Sequence, residues 1–173
     1  MNDKILKIEN LHVSFNTHLG EVQALRGIGF CLGYGEALGV VGESGSGKSV
    51  AMLTVMQLLA EYAEIKKGSI CFKGINLLGK TDSEMQKIRG NDIAMIFQDP
   101  TTSLNPSFTI GNQIAESLFV HKKVQRGEAK PKVIELLKDV EISQPENRYK
   151  QYPYELSGGL QQRCMVAMAL ACD

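Results

Sequence analysis

The most informative segment of the sequence is Gly42-Glu43-Ser44-Gly45-Ser46-Gly47-Lys48-Ser49. It fits the pattern G-x-x-x-x-G-K-[ST] and lies between a short apolar run and a segment, Val50 to Ala60, that predicts a helix. Glycines at this spacing let successive backbone N–H groups point inward as an anion-binding nest, and the N-terminal end of the helix adds partial positive charge. The segment therefore predicts a loop that binds the phosphates of a nucleotide.

The two residues at the end of this loop have the most specific chemistry. Lys48 would reach the β- and γ-phosphates, and the Ser49 hydroxyl would coordinate Mg²⁺. The loop alone does not distinguish kinases, GTPases, helicases and transporters. The predicted phosphate-binding residues are Gly42, Glu43, Ser44, Gly45, Ser46, Gly47, Lys48, Ser49 and Val50.

The residues before and just after this loop favour strands. Residues 4 to 15 alternate between apolar and polar, Val22 to Leu32 has strand-like composition, and Gly33 to Glu36 reads as a turn. Three further strands are predicted, namely Ala37 to Val41, Ser69 to Lys73 and Ile93 to Phe97, with a polar helical stretch from Ser83 to Arg89.

The pattern changes to helix after Pro100. Ile110, Ile114 and Leu118 are spaced four apart, and Val133, Leu136, Leu137 and Val140 repeat at three and four, so two amphipathic helices are expected. A last helix is predicted from Gly158 to Cys172. The whole is an α/β fold, with a helical subdomain following a β-rich core.

Bulk composition limits the functional classes. Lys plus Arg and Asp plus Glu number 19 each, so the sequence has no net charge that favours a nucleic-acid partner. The longest apolar run is Cys164 to Cys172, and residues 1 to 4 show no signal peptide, so a cytoplasmic protein is expected. The cysteines and histidines have no metal-ligand spacing.

A second anion site is suggested by Leu156-Ser157-Gly158-Gly159-Leu160-Gln161-Gln162-Arg163. Ser157 is a good N-cap, and the two glycines leave backbone N–H groups uncovered at the start of a helix. Plain helix capping explains the same residues, and the segment taken alone favours capping over an anion site.

The order and spacing of Gly42 to Ser49, Gln98 and Leu156 to Arg163 resemble those of ABC ATPases, from Lys4 to the last residue. The resemblance implies a P-loop, RecA-like nucleotide-binding domain that binds ATP and Mg²⁺. It also implies that two such subunits, identical or different, face head to tail, so that Ser157, Gly158 and Gly159 contact the ATP held by the partner.

The resemblance gives two more residues a role. Gln98 would be the Q-loop glutamine, which approaches Mg²⁺ and the attacking water and, with Lys48, belongs to the catalytic group. By itself, a glutamine before Asp-Pro is a solvated turn residue. Phe15 would stack on adenine, although its place on an alternating strand suits a core residue equally well.

Within the family, Met95 to Pro106, Gly20 to Ala24 and Tyr152-Pro153 look like the ATP-binding subunits of oligopeptide and dipeptide importers. Tyr154 and Leu160 depart from that pattern, so an importer of nickel or glycosides stays open. The resemblance implies membrane permease subunits, an extracytoplasmic substrate-binding protein, and a peripheral place on the cytoplasmic face of the membrane.

A soluble ABC protein of DNA repair or translation is the alternative from another class. Against it, a compact helical region without a coiled-coil insertion or a basic patch follows Gln98 directly.

The resemblance divides the chain into three parts. A core with an antiparallel β subdomain is expected over residues 1–98, the helical subdomain over 99–156, and the start of the signature helix over 157–173. In the family, the Walker B strand with its Mg²⁺-binding Asp and catalytic Glu comes after this point. The expectation is therefore an ATPase as a full-length subunit, and no hydrolysis by the 173 residues alone.

Overall fold

A computed structural model describes residues 4–122 and 124–172. The chain divides into two compact units, Met1–Met85 and Gln86–Asp173. This division does not test the boundaries at residues 98 and 156, which stay predictions. Among the described residues, none of the helices has the length and apolar character that a membrane span requires.

The first unit is built on an antiparallel sheet with strand order β2-β1-β3-β4. Its elements are β1 (Lys4–Thr17), β2 (Gly20–Gly33), α1 (Lys48–Val55), β3 (Ala63–Phe72), β4 (Ile75–Asn76) and the short helix α2 (Asp82–Gln86). The central strand β1 pairs with β2 on one side and β3 on the other, which confirms the strands predicted for residues 4 to 15, 22 to 32 and 69 to 73.

A β-bulge explains a change of parity in the apolar pattern of β1. Ile8 is buried at an even position, whereas Leu11 and Val13 are buried at odd positions, and both ladders shift register between residues 8 and 12. At this bulge the backbones of β1 and β3 lie very close together. A Cβ added at Gly68 of β3, whose φ is +110°, would lie 2.6 Å from the Leu11 Cα. The bulge keeps one apolar face against the core.

Two predicted strands and one predicted helix end need correction. Residues 37–41 have no regular secondary structure, and 93–97 contain only an isolated bridge between Ile93 and Arg89. Both predictions were wrong because a buried strand needs hydrogen-bonded neighbours, and no strand of the described residues pairs with either segment; Val41 is 93% exposed. The helix predicted for Val50 to Ala60 ends at Val55.

The second unit is helical. Its elements are α3 (Pro100–Ser103), α4 (Ile110–His121), α5 (Arg126–Asp139), α6 (Pro145–Arg148), a 3-10 turn (Pro153–Glu155) and α7 (Gly158–Leu170). Both predicted amphipathic helices are confirmed, because Ile110, Ile114, Leu118, Val133 and Leu137 are all buried in one apolar core that α7 completes with Cys164, Met165 and Ala167.

A buried glutamine fixes the connection between α3 and α4. Gln113 accepts a hydrogen bond from the Asn105 N–H at 2.9 Å and donates to the Asn105 and Phe108 carbonyls, each at 2.9 Å. Its amide therefore has partners although it is buried, which stabilises a loop without regular structure.

Candidate functional site

The glycine-rich loop of the first unit uses two backbone conformations that favour glycine. Gly45 and Gly47 have φ of +81° and +94°, and the Ser46 N–H donates to the Glu43 carbonyl at 3.2 Å. Gly47 is the N-cap of α1; no side chain of the described residues caps this helix end, and its first turn contains no acidic residue. The N–H groups at the start of an α-helix have no intrahelical partners, so they remain suited to an anion.

The loop is held against the sheet at Gly47. A Cβ added at this position would lie 2.7 Å from the Leu25 Cδ2 and 2.9 Å from the Ala24 carbonyl oxygen. Because Leu25 is buried in β2, the backbone of the loop rests directly on the core. The sequence pattern requires a glycine here, and the structure gives the physical reason.

The ammonium group of Lys48 lies over the loop. Its Nζ donates to the Gly42 carbonyl at 2.7 Å, the Glu43 carbonyl at 2.6 Å and the Ser46 Oγ at 3.3 Å. These three acceptors are uncharged oxygens, so none neutralises the positive charge that Lys48 brings to the loop. The cation, the uncapped N–H groups and the exposed Ser49 together fit a polyphosphate and its Mg²⁺.

Helix α1 is anchored from its inner face. Thr54 is fully buried, and its hydroxyl donates to the Val50 carbonyl at 2.6 Å. Ala51 and Val55 are buried beside it, so the first turn, which contains Lys48 and Ser49, has a fixed orientation. Val50 itself is half-buried, and its role toward a phosphate stays a prediction.

Phe15 lies on the same side of the sheet as the loop. Leu25, which contacts the Gly47 position, pairs with Val13 of β1, and Phe15 is two residues farther along that strand, or about 7 Å. Phe15 is half-buried, whereas Val13 is fully buried, so part of its ring remains accessible. The structure is compatible with both the stacking and the core interpretation of Phe15.

Sequence reasoning missed Tyr62. Its ring lies 5.7 Å from the Phe15 ring, with the two planes at 53°. No spacing or motif points to this residue, because it precedes β3 and meets Phe15 only through the pairing of β1 with β3.

The second predicted anion site belongs to the second unit. Ser157 is the N-cap of α7, as predicted, but its side chain does not form the capping hydrogen bond. Ser157, Gly158 and Gly159 are exposed, and a Cβ added at either glycine would meet nothing within 4 Å. The start of α7 is therefore open to solvent, which suits an incoming ligand and leaves the capping interpretation without its main contact.

Two side chains hold α7 in place. Gln161 is buried and donates to the Pro153 carbonyl at 2.7 Å. Arg163 donates to the Val140 carbonyl at 2.9 Å and to the Glu141 carboxylate at 3.2 Å, which satisfies acceptors at the C-terminal end of α5. The exposed start of α7 is thus presented by a well-anchored helix.

Gln98 is exposed in a bend just before α3 and also belongs to the second unit. The neighbouring Asp99 carbonyl accepts a hydrogen bond from the Ser103 Oγ at 2.7 Å, which begins the short helix. The structure therefore brings together the loop residues with Phe15 in one unit, while the roles of Gln98 and Ser157 to Gly159 toward a nucleotide stay predictions.

Comparison with known proteins gives close relatives of this chain. A family profile described as "ABC transporter" matches residues 25–173. The chain is 49% identical over 172 residues to the dipeptide transport ATP-binding protein DppD of Bacillus subtilis, covering 99% of this chain and 51% of that protein. It is 48% identical over 171 residues to the oligopeptide transport ATP-binding protein OppD of the same organism, and the match covers 98% of this chain and 48% of that protein. The chain thus spans about half the length of the curated relatives it matches.

A solved structure has the same fold. The ATP-binding cassette MJ0796, in a dimeric post-hydrolysis state bound to ADP and Pi, superposes with a TM-score of 0.85 at 27% identity, covering 96% of this chain and 69% of that one. The predicted α/β fold of an ABC nucleotide-binding domain is thereby confirmed.

Proposed function

Because this chain belongs to the ABC transporter family, we propose that it is the ATP-binding part of a subunit that couples ATP binding and hydrolysis to the import of peptides. The observation that carries the proposal is the loop from Gly42 to Ser49, where the Lys48 ammonium is held at the loop carbonyls and the N-terminus of α1 has no side-chain cap among the described residues. This arrangement recognises the phosphates of ATP by charge and by backbone N–H groups together.

Binding of ATP requires Lys48 to exchange acceptors. In this structure its Nζ is held by the Gly42 and Glu43 carbonyls, and a phosphate oxygen is a stronger acceptor because it is charged. Ser49 would hold Mg²⁺ beside the phosphates, and the ion would neutralise part of their charge. For Gln98, in the second unit, the proposed role is that of the Q-loop glutamine. Lys48 and Gln98 are the residues to which we assign the catalytic roles.

The exposed start of α7 supports a second subunit as partner. Gly158 and Gly159 have open space in front of them, and Ser157 leaves its hydroxyl uncommitted to the helix. We assign these three residues to the ATP of a second ABC ATPase subunit, identical or different. The related cassette MJ0796 was solved as a dimer.

Peptides are the proposed cargo because the relatives are named for them. DppD is a dipeptide and OppD an oligopeptide transport ATP-binding protein, both about half identical to this chain. The proposal includes membrane permease subunits, an extracytoplasmic substrate-binding protein, and a peripheral place on the cytoplasmic face of the cell membrane.

The binding test uses Lys48→Ala and a fluorescent ATP analogue. A hydrogen bond to a charged group contributes about 1.5–3 kcal/mol, so the affinity is expected to fall tenfold or more. Lys67→Ala, which removes an exposed lysine from β3 in the same unit, is the matched control and should bind as the wild type does. An unchanged affinity of Lys48→Ala would disprove the phosphate-binding role.

The transport test uses cells that carry the complete gene. Lys48→Ala in the full-length protein should abolish uptake of a labelled dipeptide or oligopeptide, while Lys67→Ala should not. Peptide uptake that persists, together with lost uptake of nickel or a glycoside, would assign another cargo. A full-length protein that is recovered from the cytosol, without permeases, would favour a soluble ABC protein.

A further inference from the structure

Tyr62 has an environment that the fold does not explain. Its main chain is fixed, because its carbonyl accepts a hydrogen bond from the Asn16 N–H at 2.8 Å. Its ring touches the Phe15 ring, yet Tyr62 is 59% exposed, so most of this large apolar surface is not buried by the chain. An exposed aromatic ring beside a second ring suits a ligand with a flat apolar face.

The surroundings of Tyr62 indicate which ligand this is. Phe15 pairs with Val22 on β2 and with Ala63 on β3, and Val22 is also exposed. The exposed apolar surface therefore extends from Tyr62 across Phe15 to Val22. Phe15 lies on β1 about 7 Å beyond Val13, and Val13 pairs with Leu25 of β2. Leu25 is the residue on which the phosphate loop rests, so this surface and the loop are neighbours on one side of the sheet.

We propose that Tyr62 is a second aromatic residue of the site for the nucleotide base, next to Phe15; this rests on the proposed function. The occupant is the base of the nucleotide whose phosphates bind at Gly42 to Ser49. Tyr62 supports one side of the Phe15 ring and adds its own ring to the apolar surface, so that a base stacked on Phe15 also contacts Tyr62.

The angle between the rings defines the kind of contact. Because the two planes are tilted by 53°, a base that lies flat on Phe15 meets Tyr62 obliquely rather than face to face. Tilted pairs are among the favourable arrangements of aromatic rings, and the contact depends on the ring rather than on the hydroxyl. Every base has a flat π-face, so this surface favours a nucleotide over inorganic polyphosphate without selecting one base.

The test compares ATP with inorganic tripolyphosphate as ligands of the same variants, measured by calorimetry. Tyr62→Ala is expected to weaken ATP binding about three- to tenfold and to leave tripolyphosphate binding unchanged. Tyr62→Phe should bind both ligands as the wild type does, because it keeps the ring. Tyr34→Ala is the matched control, since Tyr34 is 61% exposed and follows Gly33, which pairs with Lys4 at the opposite end of β1.

Each other result contradicts the proposal in a distinguishable way. Unchanged ATP affinity in Tyr62→Ala would remove Tyr62 from the base site and leave the proposed function intact. An equal loss for both ligands, or a loss in Tyr62→Phe as large as in Tyr62→Ala, would mean that Tyr62 does not act through ring contact with the base. A wild-type chain that binds neither ligand would disprove the proposed function and the base site with it. If Tyr62→Ala does not fold, Tyr62→Leu takes its place with the same expected result.

Discussion

Replacing Gly47 by alanine tests how the phosphate loop is held. Its φ of +94° costs an L-residue about 1–2 kcal/mol, and the new Cβ would lie 2.7 Å from Leu25 and 2.9 Å from the Ala24 carbonyl. Overpacking of this kind adds about 1–3 kcal/mol, because both neighbours belong to β2 and Leu25 is buried in the core. Gly47→Ala should therefore lower the free energy of unfolding by roughly 2–5 kcal/mol.

Gly45→Ala is the matched control for this prediction. Gly45 has a φ of +81°, but a Cβ there would meet nothing within 4 Å, so only the conformational cost of about 1–2 kcal/mol applies. Urea unfolding of both variants and of the wild type measures the difference, and tripolyphosphate titration shows whether the loop keeps its shape. Equal destabilisation of the two variants would refute the close approach of Gly47 to Leu25, and with it the account of how the loop is positioned.

Three further predictions concern other parts of the chain. Burial raises the pKa of the Cys164 thiol to about 12, whereas Cys31 is exposed, so iodoacetamide at pH 8 should label Cys31 in the folded chain and Cys164 only after unfolding, as peptide mass spectrometry will show. The backbone N–H of Thr81, followed by neighbouring side chains, lowers the pKa of Glu84 from 4.5 to about 2. The stabilisation relative to Glu84→Gln should therefore be present above pH 4.5 and be lost as the pH falls toward 2 in thermal melts. Gly159→Ala should leave the melting temperature unchanged or raise it slightly, because the added Cβ meets nothing and alanine favours a helix; a clear loss of stability would contradict the open space described there.

The elements that the sequence predicts correctly depend on local signals. The glycine-rich loop needs only its own residues and the helix that follows, and the helices α4 and α5 show their apolar faces at spacings of three and four. The strands predicted for residues 4 to 15 and 22 to 32 are equally local, because each shows its strand composition within its own residues. These parts could be predicted because the residues that decide the structure are close together in sequence.

What could not be predicted depends on partners distant in the chain. Residues 37–41 and 93–97 have the apolar composition of strands, but composition does not show whether a neighbouring strand supplies hydrogen bonds. The contact between Phe15 and Tyr62 follows from the register of β1 with β3. That register includes a bulge, whose position the apolar pattern of the sequence does not show clearly. The reason for Gly47 likewise lies in β2, well outside the loop motif.

The two glycine-rich segments differ in a way that bears on what each one contacts. Gly47 has to be glycine for a reason inside the chain, since a side chain there would collide with the sheet. A Cβ added at Gly158 or Gly159 would meet none of the described residues within 4 Å beyond their own neighbours and helix, so the described part of the chain gives no packing reason for glycine there. The loop from Gly42 to Ser49 is packed on the sheet of its own unit, which suits a ligand bound by this subunit. The exposed start of α7 suits a ligand that is bound to another subunit. This difference in packing supports the assignment of the first segment to the subunit's own ATP and the second to the partner's.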